Sequence, residues 1–364
     1  MKTFHCTHCQ NLVFFENILC LNCERPLAYL PDRGVMAALE QDANGFWHTQ
    51  IDGQRSDMYR LCANYVDHNV CNWAVPAVQE PEDGNLLCAS CRLTRVIPDL
   101  TQSENKAAWY RLENAKRRLV YTLLRLRLPL AGKEVETNDG LAFEFLEDSV
   151  EPNGDRKRAF TGHDNGLITI NIAEADDVLR EEQRKQQNEP YRTLLGHFRH
   201  EIGHYYWDRL IQDSSRLETF RGLFGDERMN YETALKIHYD KGPPANWESN
   251  FISAYATMHP WEDWAESWAH FLHMTDALET ATAMGLSVRP ERTDEPSLPH
   301  PPETRYDFDC LVEEWRALTY VLNNLSRGLG LLDSYPFVLS PKVIEKLRFI
   351  NDTVAQAAVG ARDF

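Results

Sequence analysis

Residues 191–210 read YRTLLGHFRHEIGHYYWDRL, and within them His200-Glu201-Ile202-Gly203-His204 is an HExxH pentapeptide. Leu194, Leu195, Phe198, Tyr205 and Trp207 make the rest of the stretch apolar and aromatic, so it reads as a buried helix over 193–210. On a helix His200 and His204 stand one turn apart and face the same way. Both imidazoles then reach one metal ion at about 2.0–2.1 Å. Glu201 lies beside that ion rather than on it, placed to take a proton from the attacking water. Two histidines do not complete such a site, because hydrolytic zinc uses three protein ligands and one position for water.

The third ligand is sought downstream, where residues 255–271 read YATMHPWEDWAESWAHF. Pro260 opens a helix expected over 261–274. Glu262 and Glu266 are one turn apart on one face of it. Glu262 is assigned to the metal, and Glu266 to accepting the outer N–H of a ligating histidine. Tyr255 precedes Glu262 in the turn that enters the helix and offers its phenol to a developing oxyanion. Asp208 is the alternative third ligand, disfavoured because its helix carries it ~12 Å along the axis from His200. His197 reads as packing or cleft wall, and His270 and His273 as helix-face residues. Trp261, Trp264 and Trp268 read as core, and Asp263 as a cap or salt-bridge partner.

Eight of the nine cysteines cluster upstream. Cys6-x-x-Cys9 and Cys20-x-x-Cys23 form one quartet; Cys62, Cys71, Cys88 and Cys91 form a looser second one. A CxxC turn points two thiolates at one centre, and two such turns complete a tetrahedron about zinc. His68 is an alternative ligand in the second quartet. His5 and His8 read as solvent-facing, and Cys310 as a small buried apolar residue.

Composition narrows the function classes. The chain has 364 residues, 38 Lys and Arg, 55 Asp and Glu, and a formal charge of −17. Nucleic-acid binding, which needs clustered cations, is not expected. No apolar run reaches the ~18 residues of a membrane span. The N-terminus shows no apolar signal-peptide core, so the expected location is the cytoplasm, where thiols stay reduced.

Pro98 marks a boundary between a cysteine-rich module (1–98) and a larger domain (99–364). From Ser103, Trp109, Leu112, Ala115, Leu119, Leu123 and Leu126 recur at helical steps. LAFEFL (141–146) and GLITINI (166–172) alternate as strands, the latter expected at the sheet edge above the cleft. A polar turn is expected at 154–157, a charged helix over 173–188, and a loop over 286–308. Two more helices are expected, one at 310–326 and one from Ser340-Pro341. The fold class is α+β: a small metal-stapled β module, then a mostly helical domain with a short sheet.

HEIGH paired with Tyr-x6-Glu-x3-Glu resembles the gluzincin metallopeptidases, especially their lethal-factor-like branch. CNW (71–73), CASCRL (88–93), GLITINIAEAD (166–176), residues 191–210 and PWEDWAESWAHFL (260–272) resemble a bacterial family of zinc-binding metallopeptidases with an N-terminal zinc ribbon. The resemblance implies a zincin-like domain with one catalytic and two structural zinc ions. It places His200, His204 and Glu262 on the catalytic zinc, Glu201 as base, Tyr255 at the oxyanion and Glu266 behind a histidine. The implied partners are a peptide or protein substrate and a protein recognised by the ribbon module. The competing reading is a zinc-stabilised interaction scaffold that cleaves nothing; the complete set of Glu201, Tyr255 and Glu266 argues against it, since a scaffold needs neither a base nor an oxyanion donor.

Overall fold

The computed structural model describes residues 1–51, 53–55, 57–77, 86–133, 140–150, 156–186, 193–299 and 307–360. Over the cysteine-rich segment the strands are short and antiparallel. Phe4–His5 pairs with Leu12–Val13, Leu27–Leu30 with Val35–Ala38, and Tyr59–Leu61 with Ala74–Pro76. Hairpins of this size do not hold themselves together. They gain a core from outside: Phe4, Phe15 and Tyr29 all pack against the ring of Tyr121, at centroid distances of 5.5–6.1 Å. Tyr121 lies on helix α1 (Ser103–Arg125), whose Trp109, Leu112, Ala115, Leu119 and Leu123 are buried at the expected spacing.

The larger part is built on a mixed four-stranded sheet: β1 (Thr94–Val96), β2 (Ala142–Leu146), β3 (Gly162–Asp164) and β4 (Leu167–Asn171), in the order β1-β2-β4-β3. β1, β2 and β4 run parallel, and β3 returns antiparallel. GLITINI is therefore not the edge. Its Ile168 and Ile170 are fully buried and it is paired on both sides. The edges are β1 and β3, and β3 is a three-residue strand that folds back through Asn165 and Gly166, both at positive φ.

Seven helices follow among the described residues: α2 (Asp177–Gln186), α3 (Leu194–Leu210), α4 (Leu217–Phe224), α5 (Tyr231–Lys241), α6 (Pro260–Ala283), α7 (Phe308–Gly328) and α8 (Pro341–Gly360). The expected charged helix is split, because the Asn171 side chain caps a separate 3-10 turn at Ile172–Ala175 before α2 begins; residues 187–188 lie outside the described residues. So do Gly154 and Asp155 of the expected turn, and residues 300–306 of the expected loop. Helix α7 starts early because Asp307 caps it. Cys310 is half-buried, its thiol 3.7 Å from the Asp307 carboxylate, and not a core residue. Val312 and Trp315 take the buried face instead.

The sheet rests on α3 through Phe198, whose ring is 5.7 Å from Phe143 and 6.2 Å from Phe145. Helices α3 and α6 cross at Gly203. A Cβ there would sit 3.0 Å from Ala265 Cα and 3.1 Å from Trp268 Cβ. Trp264 donates its indole N–H to the Gly203 carbonyl at 2.8 Å, and Trp264 and Trp268 are fully buried. This crossing brings the HExxH turn against the first turn of α6. Among the described residues no helix is long and apolar enough to cross a membrane.

Candidate metal centre

Thr193 caps α3 by accepting the Gly196 N–H, and Pro260 starts α6 behind the His259 cap. The two helices bring together His200, His204 and Glu262, whose potential ligand atoms all lie within 4.8 Å of one another. His200 Nε2 is 3.2 Å from His204 Nε2 and 2.9 Å from Glu262 Oε2; His204 Nε2 is 3.5 Å from Glu262 Oε1. Tetrahedral zinc with bonds of about 2.0–2.1 Å holds neighbouring donors roughly 3.3 Å apart. The set therefore fits zinc. Glu262 is 2% exposed, yet its Oε2 accepts no hydrogen bond, an unmet acceptor that a cation satisfies. Burial alone would raise Glu262, but the neighbouring His204 and His200 hold its carboxyl well below the usual carboxylate range.

The surroundings fix these groups. Glu266 Oε1 is 2.8 Å from His200 Nδ1, and Ser253 donates to Glu266 Oε2 at 2.6 Å. Tyr231 of α5 donates to Glu262 Oε1 at 2.9 Å. Neither Ser253 nor Tyr231 was singled out by the sequence; neither belongs to a spaced motif, and only the fold brings them in. His204 Nδ1 has no partner, and its ring is covered by Trp261 at a centroid distance of 3.7 Å. Trp261 thus packs against the core and also walls the site, because it occupies the second position of α6.

Glu201 is buried next to the cluster, and burial pushes its carboxyl above the usual range. Tyr255 sits in a 3-10 turn, its ring 6.0 Å from His200. Burial holds its phenol well above the ordinary value, so it remains a proton donor. The other candidates lie outside the cluster. Asp208 is not in the cluster. His197 Nδ1 lies 3.1 Å from Glu174, His270 Nδ1 lies 2.8 Å from the Tyr335 hydroxyl, and His273 meets Arg199. Asp263 is the buried salt-bridge partner of Lys346, at 2.6 Å.

The cysteines form two further clusters, Cys6-Cys9-Cys20-Cys23 and Cys62-Cys71-Cys88-Cys91. All are free thiols. The closest sulfurs are 3.6 Å apart in the first (Cys6–Cys23 and Cys9–Cys20) and 3.8 Å in the second (Cys71–Cys88). A zinc tetrahedron with bonds of about 2.3 Å has edges of roughly 3.8 Å. Each CxxC of the first cluster is followed by a left-handed residue, Gln10 (φ +60°) or Glu24 (φ +55°), whose N–H returns to the carbonyl of the first cysteine. The second cluster is wholly buried, and burial pushes the Cys88 thiol up. Beside it lies Arg117, 2% exposed, donating to the Val70 carbonyl and Asn114, with Cys71, Glu113, Cys91 and Cys88 as its charge neighbours. Glu113 is already paired with Lys116 at 2.9 Å. Arg117 is thus available to balance the negative charge of four thiolates around a dication. His68 is not a member of the cluster; its ring lies 5.2 Å from Trp109.

Comparison with known proteins gives two family matches. The model described as "Putative zinc-binding metallo-peptidase" matches residues 105–353, and a zinc-ribbon domain model matches residues 3–102. Uncharacterized proteins of Mycobacterium tuberculosis (strain H37Rv) and Mycobacterium bovis are each 43% identical over 359 residues, spanning 98% of this chain and 96% of theirs. No solved structure gives a significant match.

Proposed function

Because the chain belongs to the zinc-binding metallo-peptidase family whose model spans residues 105–353, we propose that it hydrolyses peptide bonds at a zinc ion held by His200, His204 and Glu262. The observation that carries this reading is the convergence of three donor atoms at 2.9–3.5 Å with a buried carboxyl, Glu201, beside them. Zinc, when bound, supplies the Lewis acidity that makes water nucleophilic near neutral pH.

The chain's own groups do the rest. Glu201 takes the proton of the attacking water and delivers it to the leaving amine. Tyr255, kept protonated, donates to the oxyanion that develops on the scissile carbonyl. Glu266, held by Ser253, fixes the His200 ring and its tautomer, and Tyr231 fixes the Glu262 carboxylate. An extended peptide pairs with the exposed edge of β3. The cysteine-rich segment 1–98 carries two structural zinc ions and segment 99–364 carries the catalytic one. A cytoplasmic location suits both the free thiols and this chemistry.

The test is cleavage of a mixed peptide library by the zinc-loaded protein and by Glu201→Gln, with metal analysis of both. Three zinc ions per chain in each and turnover only in the native protein is the expected result. Equal product profiles from the two proteins exclude the mechanism.

A further inference from the structure

Next to the metal donors the chain forms an open cavity of about 360 Å³ whose lining includes Asp164, Asp208, Glu227, Trp207, Tyr231 and Trp261. It adjoins the site on two sides. Trp261 covers the His204 ring, and Tyr231 donates to Glu262. Asp164 belongs to β3, the strand edge available to an extended peptide, and Asp208 stands one turn beyond His204 on α3. In an extended peptide successive side chains alternate in direction, so a peptide paired along β3 would offer every second side chain to one face.

The lining contains three carboxylates and no Lys or Arg. Glu227 is already neutralised by Arg221, at 2.6 and 3.0 Å. Asp208 pairs with no Lys or Arg among the described residues. Its nearest basic group is His163 Nε2 at 3.7 Å, and that nitrogen accepts the Gly166 N–H at 2.8 Å, so it carries no proton to offer. Among the described residues the Asp164 carboxylate accepts from Asn165. Both carboxylates thus stand beside aromatic faces without a direct Lys or Arg ion pair among the described residues, with only the more remote charges of His204 and Arg209 acting on Asp208, a combination that favours an ammonium or guanidinium group. A second observation points to a bound chain. Trp207, 7% exposed, and Trp261 both line the cavity with buried indole N–H groups that find no acceptor. Peptide carbonyls supply acceptors of that kind.

We propose that this cavity receives a lysine or arginine side chain next to the scissile bond, with Asp208 as the specificity-determining carboxylate, so that the substrates are basic peptides. The inference rests on the hydrolase reading above, and its test separates the two. Capped peptide libraries are prepared with one position fixed as Lys, Arg, norleucine or Glu, moved through the sites flanking the scissile bond. At one flanking position the zinc-loaded protein is expected to prefer Lys or Arg over norleucine by about 10- to 100-fold in kcat/KM, the worth of a charge-assisted hydrogen bond. In Asp208→Asn that ratio should collapse toward one. In Asp208→Glu it should persist, which shows that the charge and not the fold was lost. A native protein that cleaves Lys and norleucine peptides equally well, or an Asp208→Asn protein that keeps the preference, overturns the assignment while leaving the hydrolase reading intact. Binding to Glu201→Gln supplies a readout that needs no turnover. A fluorescein-labelled Lys peptide should bind at least tenfold more tightly than its norleucine twin, and equal affinities overturn the proposal even if no peptide is cut.

Discussion

The second cysteine quartet and the His200–His204–Glu262 cluster are both buried donor sets on the path of the same chain, and they are supported in opposite ways. Around the quartet four thiols are enclosed on all sides, with Arg117 as buried countercharge. Around the histidines there are three donors, and the neighbours are a buried carboxyl, Glu201, a phenol, Tyr255, and a cavity lined by acids, the groups that the proposed hydrolysis would use. Four thiolates saturate a zinc ion and turn its binding energy into folding energy. Three donors leave binding energy aside for a ligand that changes. The difference shows that the count of protein donors, and what surrounds them, separates a staple from a reaction centre.

That contrast can be broken experimentally, and the largest effect belongs to the staple. Structural zinc contributes about 10–16 kcal/mol in small modules, so Cys88→Ser should lose one zinc and much of the module's fold, read as lower zinc content and a lower, broader melting transition. Glu262→Gln should also lose one zinc but melt close to the native protein. Equal melting losses in the two would erase the distinction. Glu201→Gln comes next. A general base contributes ~10²–10⁴-fold, so turnover should fall by that factor with zinc content unchanged.

Smaller effects sharpen the comparison further. Tyr231→Phe removes the hydrogen bond that holds Glu262 Oε1. It should weaken zinc at the histidine site by about 10- to 100-fold, the usual cost of losing such support, while both quartets hold their metal; competition with a chromophoric chelator reads this directly. The smallest effect is in pH. Burial lowers His270 to about 4. Between about pH 6.5 and 4 the unfolded chain binds a proton at this residue that the folded chain refuses, so folding stability is lost as pH falls. The loss is up to ~1.4 kcal/mol per pH unit. His270→Gln should therefore show a flatter decline of melting temperature between pH 6.5 and 5 than the native protein.

Legibility followed locality. The HExxH pair and the CxxC turns are readable because helix and turn geometry alone bring their members together. Helix α1 is readable because five of its apolar positions all meet the same core. The edge strand β3 was not readable: Gly162-His163-Asp164 has no apolar alternation, and only its pairing with β4 makes it a strand. GLITINI was assigned to the edge for the converse reason, since alternation reports burial of a face and says nothing of neighbours. Tyr231 and Ser253 reach the site from separate segments through side-chain hydrogen bonds, which leave no periodic trace. Trp261 shares its spacing with Trp264 and Trp268 but occupies the first turn of α6, so the same letter there packs on His204.

The rings of Phe4, Phe15 and Tyr29 meet on Tyr121, and that shared cluster has a practical consequence. The amino-terminal quarter is not expected to come away as a removable handle, because deletion would bare one flank of α1 to solvent and leave the larger segment sticky. Nor should that quarter survive alone, since its hairpins would lose the ring they lean on. Zinc supply to the thiols and integrity of the His200–His204–Glu262 cluster are therefore expected to be linked through one aromatic keystone.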